Sequence, residues 1–202
     1  MIYDENKREI KLDRELSELD KLVIEFTGIL EKHVEYVIIS GYVSILLGRS
    51  RITEDIDIFI KEMSFEQFSE LYQEFEEKGF WCINAEKPES VYDYLKTCKA
   101  VRFARKGTSM PNFEIGFPKR EIDSETFGDF INVILKGVKL KISSLERHIA
   151  FKKYYLETDK DIEDSLHIEE IFKGKVDYEK VNKLRKSIEI IKRDEENGKE
   201  KY

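Results

Sequence analysis

Apolar positions in the first third of the chain change period twice. Leu16, Leu19, Leu22, Val23, Phe26, Ile29 and Leu30 recur at three- and four-residue spacing, which predicts an amphipathic helix over 15–33. A continuous apolar run predicts a strand at 35–39, followed by a short helix at 41–47 that Gly48 stops. In the next strand, 55–61, Ile56, Ile58 and Ile60 share one face. Ser64 with Gln67 three places on predicts a capping box heading a helix over 65–78, which Gly79 ends before the short strand Phe80-Trp81-Cys82-Ile83. Pro88-Glu89-Ser90 opens another helix, and strands are expected at 99–105 and 112–117.

A further β-like pair, 131–136 and 138–142, is split by Gly137, and from Ser143 onward the period is helical throughout. The expected helices are 144–157, 160–172 and 178 to about 195, and only 194–202 reads as a frayed tail. This order predicts an α/β (α+β) fold: a mixed β-sheet flanked by helices, with a helical C-terminal part. The corresponding division is an α/β core over 1–142, N-terminal helix included, and a helical part over 143–202.

A hydrophobic fraction of 41% with 12% aromatics is that of a folded chain, and 202 residues suffice to bury a proper core. The net charge of −7 argues against a general nucleic-acid binder, so a polynucleotide partner needs a local basic patch. The only clear basic surface is the last helix, with Lys180, Lys183, Arg185, Lys186, Lys192 and Arg193, and RNA is sought there. No run approaches the roughly 18 apolar residues of a membrane helix, and the opening residues lack a signal peptide's pattern, so a cytoplasmic protein with no membrane partner is expected. Cys82 and Cys98 sit among apolar neighbours and read as buried thiols rather than a disulfide or zinc site. His33, His148 and His167 are too scattered for a metal or triad and read as helix-surface or core residues.

Candidate chemistry concentrates at 36–60. Asp55 and Asp57 are one residue apart in a strand, so their carboxylates converge on one face, as a divalent-metal site requires. A strand, the small pair Ser40-Gly41 at a helix start, and this acidic pair on the next strand together resemble the signature of the polymerase-β-like nucleotidyltransferase superfamily. The resemblance implies that the phosphates of an NTP lie against Ser40, Gly41 and the amides after them. Ser40 stands where that family commonly has Gly, and Tyr42 follows. Gly48-Arg49-Ser50-Arg51-Ile52-Thr53 is similar to the family's Gly-x-x-Arg-x-Thr linker. There Arg51 would contact phosphate or orient Asp55, and Thr53 would hold the acidic turn by a side-chain to backbone bond.

The family's third carboxylate falls on Glu114, a charge between Phe113 and Ile115, although Asp is commoner there. The alternative is an outward-facing residue on a half-exposed strand. Asp123 is the poorer choice because it lies in a loop beyond Pro118. The resemblance implies Mg²⁺ or Mn²⁺ held by Asp55, Asp57 and Glu114 in a two-metal scheme.

Downstream, Ile149-Ala150-Phe151-Lys152 followed by Lys160-Asp161-Ile162-Glu163-Asp164 resembles the helical motifs of AbiEii-type and related minimal prokaryotic nucleotidyltransferases. That resemblance assigns Lys152, with Lys153 close behind, together with Lys160, Asp161 and Asp164, to nucleotide binding. Asp161 and Asp164 share a helix face and would orient Lys152 or Arg51; the alternative is a helix start favoured by its own acidic first turn. The implied function is metal-dependent transfer of a nucleoside monophosphate from an NTP to a hydroxyl, on an RNA 3′ end or a protein. A toxin-like role with an antitoxin-like partner follows by analogy. The rival is a catalytically inactive nucleotide-binding or protein-interaction module of the same fold.

Overall fold

The computed structural model describes residues 1–199. Its first half runs β1 (Ile2–Asp4), β2 (Glu9–Leu12), α1 (Glu18–His33), β3 (Tyr36–Ile38), α2 (Gly41–Leu46), β4 (Asp55–Ile60), α3 (Phe65–Glu77), β5 (Phe80–Cys82) and α4 (Pro88–Lys96). The second half continues with β6 (Val101–Arg105), β7 (Asn112–Gly116), α5 (Glu121–Ser124), β8 (Phe130–Leu135), β9 (Val138–Ser143), α6 (Leu145–Phe151), α7 (Asp159–Ile171) and α8 (Tyr178–Lys199). The strands form one mixed sheet in the order β1-β2-β8-β9-β3-β4-β7-β6-β5. β2 runs parallel to β8, β3 to β9 and β4 to β7, while the remaining neighbours are antiparallel.

The caps explain where helices begin. Ser17 accepts from the backbone of Asp20 and heads α1, and Ser64 with Gln67 forms the expected capping box on α3. The inward residues of α1 and α3 meet those of the sheet in an aromatic core. Phe26 stacks on Phe75 at 4.5 Å and on Phe113 at 3.8 Å, with Phe80 edge-on at 5.1 Å. Burying such rings contributes about 1.5–3 kcal/mol each, which locks β7 against α1 and fixes the sheet region that carries Glu114.

Three features depart from the sequence expectation. The hairpin of β1 and β2 was not foreseen: strands of three and four residues are too short to show a period, and β2 is held by its pairing with β8. The helix expected over 144–157 stops at Phe151 and widens into a π-turn, Lys152–Leu156, after which Glu157 takes a left-handed φ of 59°. The supposed frayed tail is helical as far as Lys199, and the last three residues lie outside the described part. α8 packs on α6, with Val181, Leu184 and Ile188 buried, and Glu195 farther along accepts from Arg120 and Tyr155. Among the described residues no helix is long and apolar enough to cross a membrane.

Candidate active site

The acidic cluster is built by strand register. Asp55 and Asp57 point away from the fully buried Ile56 and Ile60, and the parallel pairing of β4 with β7 sets Asp57 directly beside Glu114. Carboxylate oxygens of Asp55, Asp57 and Glu114 all lie within 4.8 Å of one another, and all three residues are half-buried. Burial, then the charges of Asp55 and Glu114, push the Asp57 carboxyl up to about 6, against the opposing pull of the Ser40 hydroxyl and Lys152. Three hard oxygen donors whose charges crowd one another suit a Mg²⁺- or Mn²⁺-type cation. Asp123 is not in this cluster: it is buried on α5 and bonded to Arg120 at 2.9 Å.

β3 leads straight into the cluster, since the Ile39 amide donates to the Asp57 carbonyl at 2.9 Å. Ser40 then adopts φ 59° and ψ −137°, a backbone state natural to glycine and strained for serine by about 1–3 kcal/mol. At Gly41 a Cβ would stand 2.8 Å from Arg51 Nη2, so the bare glycine is what admits the guanidinium. Tyr42 anchors the turn from behind by donating to buried Asp20 at 2.7 Å. Burial raises the Asp20 carboxyl, yet Arg14, Ser17 and Tyr42 outweigh it and hold the group at about 2.

The linker and helical motifs meet around Asp164, which is fully buried. It binds Arg51 at 2.5 Å, Lys152 at 3.1 Å and also Arg49. Lys152, buried at the head of the π-turn, bonds Asp161 at 2.5 Å, and Thr158 donates to the same carboxylate at 2.6 Å. Both aspartates titrate below the usual carboxylate range: burial opposes this, while Lys152 and Thr158 at Asp161, and Arg49 and Lys152 at Asp164, prevail. Asp161 and Asp164 are thus engaged with cations of the chain itself. Lys160 is exposed, offers its carbonyl to Arg49 at 3.0 Å, and has no ion pair among the described residues. Thr53 donates to the Asp55 carbonyl at 2.9 Å.

Asp57 and Glu114 open on a cavity of about 530 Å³ whose wall includes Ser40, Lys152, Phe117, Phe151 and Tyr155. Sequence reasoning missed much of this wall. Arg120 lies over the Tyr155 ring at 4.5 Å, and Glu195, from the supposed tail, accepts from Tyr155 at 3.2 Å. His148, expected as a core or helix-surface residue, is buried in the cavity wall; its Nε2 is 2.9 Å from Ser44 Oγ, and its Nδ1 has no partner among the described residues. Burial, then the nearby Lys152 charge, depress its imidazole to about 3, so it is neutral.

Half of the basic stripe of α8 is compensated. Lys180 binds Asp129 at 2.6 Å, Arg185 binds Glu189 at 2.7 Å and Lys192 binds Glu157 at 2.5 Å, which leaves Lys183, Lys186 and Arg193 exposed. The cysteines are free, Cys82 buried and Cys98 half-buried.

No protein-family model matches the chain, and no curated protein matches it. Solved structures do. The antibiotic-resistance factor ANT(2'')-Ia, in a solution structure, is 17% identical over 90% of this chain and 97% of its own, with a TM-score of 0.58. The same protein in complex with adenylyl-2''-tobramycin aligns over 86% of this chain and 98% of its own at 17% identity and a TM-score of 0.54. The lincosamide antibiotic adenylyltransferase LnuA, lincomycin-bound, aligns over 78% of this chain and 99% of its own at 17% identity, with a TM-score of 0.52. At such identities the likeness is one of fold: the chain has the nucleotidyltransferase fold. The AbiEii-type likeness, with its toxin role and antitoxin-like partner, draws no support from these matches.

Proposed function

We propose that this protein is a metal-dependent nucleotidyltransferase that moves a nucleoside monophosphate from an NTP to a hydroxyl of a small molecule, releasing pyrophosphate. One observation carries the reading: three carboxylates have oxygens within 4.8 Å of one another, and two of them, Asp57 and Glu114, open on a cavity of about 530 Å³, a volume typical of a small-ligand site. Asp55, Asp57 and Glu114 would hold Mg²⁺ or Mn²⁺, which when bound would withdraw charge from the reacting phosphoryl oxygens. Ser40 and the Gly41 turn would receive the phosphates. Lys152 and Arg51 would supply positive charge held in place by Asp161 and Asp164, and Thr53 would brace Asp55. Lys160, exposed at the start of α7, would reach a phosphate only from outside the cavity.

The acceptor assignment differs from the RNA or protein expected above, and the reason is charge. A polynucleotide needs unengaged cations along its backbone. Of the cavity's basic residues, Arg120, Arg147 and Lys152 are committed to Asp123, Asp129 and Asp161, which leaves only the exposed Lys119 without an ion pair among the described residues, a single cation rather than a row. The wall mixes aromatic and aliphatic residues such as Phe117, Phe151 and Leu156 with hydroxyl and acidic ones such as Ser143, Thr126 and Glu195, which suits a compact hydroxylated molecule, and the fold likeness to antibiotic-modifying proteins points the same way. In this reading the helical part from 143 onward, through Phe151, Lys152, Tyr155 and Glu195, closes the cavity that the core over 1–142 opens.

The test is incubation with each α-labelled NTP and Mg²⁺ or Mn²⁺, with a panel of hydroxylated small molecules including an aminoglycoside and a lincosamide, and with RNA and protein as separate arms. Label on a small molecule that is lost in Asp57→Ala supports the proposal. Label on RNA or protein instead overturns the acceptor assignment, and nucleotide binding without transfer favours the inactive module. Transfer that survives Asp57→Ala identifies a contaminant.

A further inference from the structure

Resting on the metal-centre reading above, we propose that Arg102 is a resident counter-ion of the acidic cluster that makes its capture of a divalent cation conditional on the nucleotide. The row Asp57, Glu114, Arg102 runs straight across β4, β7 and β6, one residue per strand, on a single face of the sheet. Arg102 Nε donates to Glu114 Oε2 at 2.9 Å, and Glu114 is its sole ion-pair partner among the described residues. A cation therefore competes with Arg102 for one of the oxygens it requires.

Arg102 is placed unlike the other arginines near the cluster. Arg51 is 9% exposed and locked to Asp164, whereas the Arg102 side chain is 52% exposed and tied by one side-chain hydrogen bond. Its two Nη groups have no partner among the described residues, so a planar, charged fork with unused donors stands at the solvent edge of the acidic cluster. Without a cation the guanidinium offsets part of the negative charge. With a cation alone, two positive groups would face each other across Glu114. A phosphate arriving with the nucleotide gives Arg102 a better, bidentate partner and frees Glu114. By linkage, whatever factor the nucleotide adds to cation affinity the cation adds to nucleotide affinity. Arg102 acts through Glu114 and is a positioning residue.

The experiment titrates Mn²⁺ and follows the free-ion electron paramagnetic resonance signal, with and without α,β-methylene-ATP, for the wild type, Arg102→Met, Arg102→Lys and Asp57→Ala. The wild type is expected to hold Mn²⁺ weakly alone and far more tightly with the analogue. Arg102→Met should bind Mn²⁺ alone about three- to tenfold tighter, the size of one partly screened charge, and lose most of the analogue's enhancement. Arg102→Lys keeps the charge and should hold Mn²⁺ alone as weakly as the wild type, which separates the effect from misfolding, but should show a smaller enhancement with the analogue because an ammonium cannot pair a phosphate bidentately. Equal or weaker Mn²⁺ binding by Arg102→Met, or an enhancement that survives it at full size, would overturn the proposal while leaving the metal centre standing. Mn²⁺ binding by no form, or undiminished in Asp57→Ala, would remove the metal reading and this proposal with it.

Discussion

Replacing Asp57 by Asn should stabilise the metal-free protein at neutral pH and destroy its affinity for Mg²⁺ or Mn²⁺. The carboxyl is carried from 3.8 to about 6 on folding, first by burial and then by Asp55. A raised carboxylate is protonated in the folded state while already ionised in the unfolded one between those two values, so stability falls as pH rises from about 4 to 6. The full interval corresponds to ~3 kcal/mol. Asp57 is half-buried and its neighbours can relax, so ~1–2 kcal/mol is the expected gain, or about 2–8 °C in melting temperature for a chain of this size. The assay is thermal unfolding with chelator, wild type against Asp57→Asn, at pH 4, 5, 6 and 7.5. The difference measured at pH 4 isolates any packing cost of the amide, and the gain should grow from there and level off above pH 6. Added Mg²⁺ should then raise the wild type and leave the variant unmoved. A difference independent of pH, or a variant that is the less stable at pH 7.5 in chelator by more than at pH 4, would refute the picture of an over-charged cluster.

Three further substitutions probe how the cluster is supported. Gly41→Ala sets a Cβ 2.8 Å from Nη2, the mobile end of Arg51, so it should shift the guanidinium at a cost under about 1 kcal/mol in denaturant unfolding while nucleotide affinity falls; an unchanged affinity would mean that Arg51 has room to move. Tyr42→Phe should cost about 1.5–3 kcal/mol by taking a donor from buried Asp20, and a double-mutant cycle with Asp20→Asn should recover most of that as coupling energy. Additive single effects would show that the bond carries no weight. Asp164→Ala should cost about 3–5 kcal/mol because Arg49, Arg51 and Lys152 lose a common buried partner. A loss under about 1 kcal/mol would mean that Asp161 and Glu163 take over the pairing.

The hub at Asp164 also links the core to the helical part. Arg49 and Arg51 come from the linker between α2 and β4, Lys152 from the π-turn and Asp164 from α7, so one carboxylate ties together segments more than a hundred residues apart. Lys152 meets Asp161 and Asp164 as the two helical motifs imply, but the π-turn that carries it is not hinted at by the straight helix expected from the periodicity.

Local sequence determined a great deal here. Alternation in β4 dictates that Asp55 and Asp57 share a face, and Ser64 with Gln67 dictates where α3 starts. Such features depend on neighbours a few residues away, through periodicity and capping, and so they are written in short stretches of chain. Tertiary structure alone decided that β4 lies parallel to β7 in the register that sets Glu114 beside Asp57, and that β6 then sets Arg102 beside Glu114. It also decided that Glu195 and Tyr155 wall the cavity, that half of the basic stripe of α8 is spent on internal partners, and that a three-residue strand joins the sheet. Register and long-range ion pairing are set by the packing of whole faces against one another, a choice no single segment can encode.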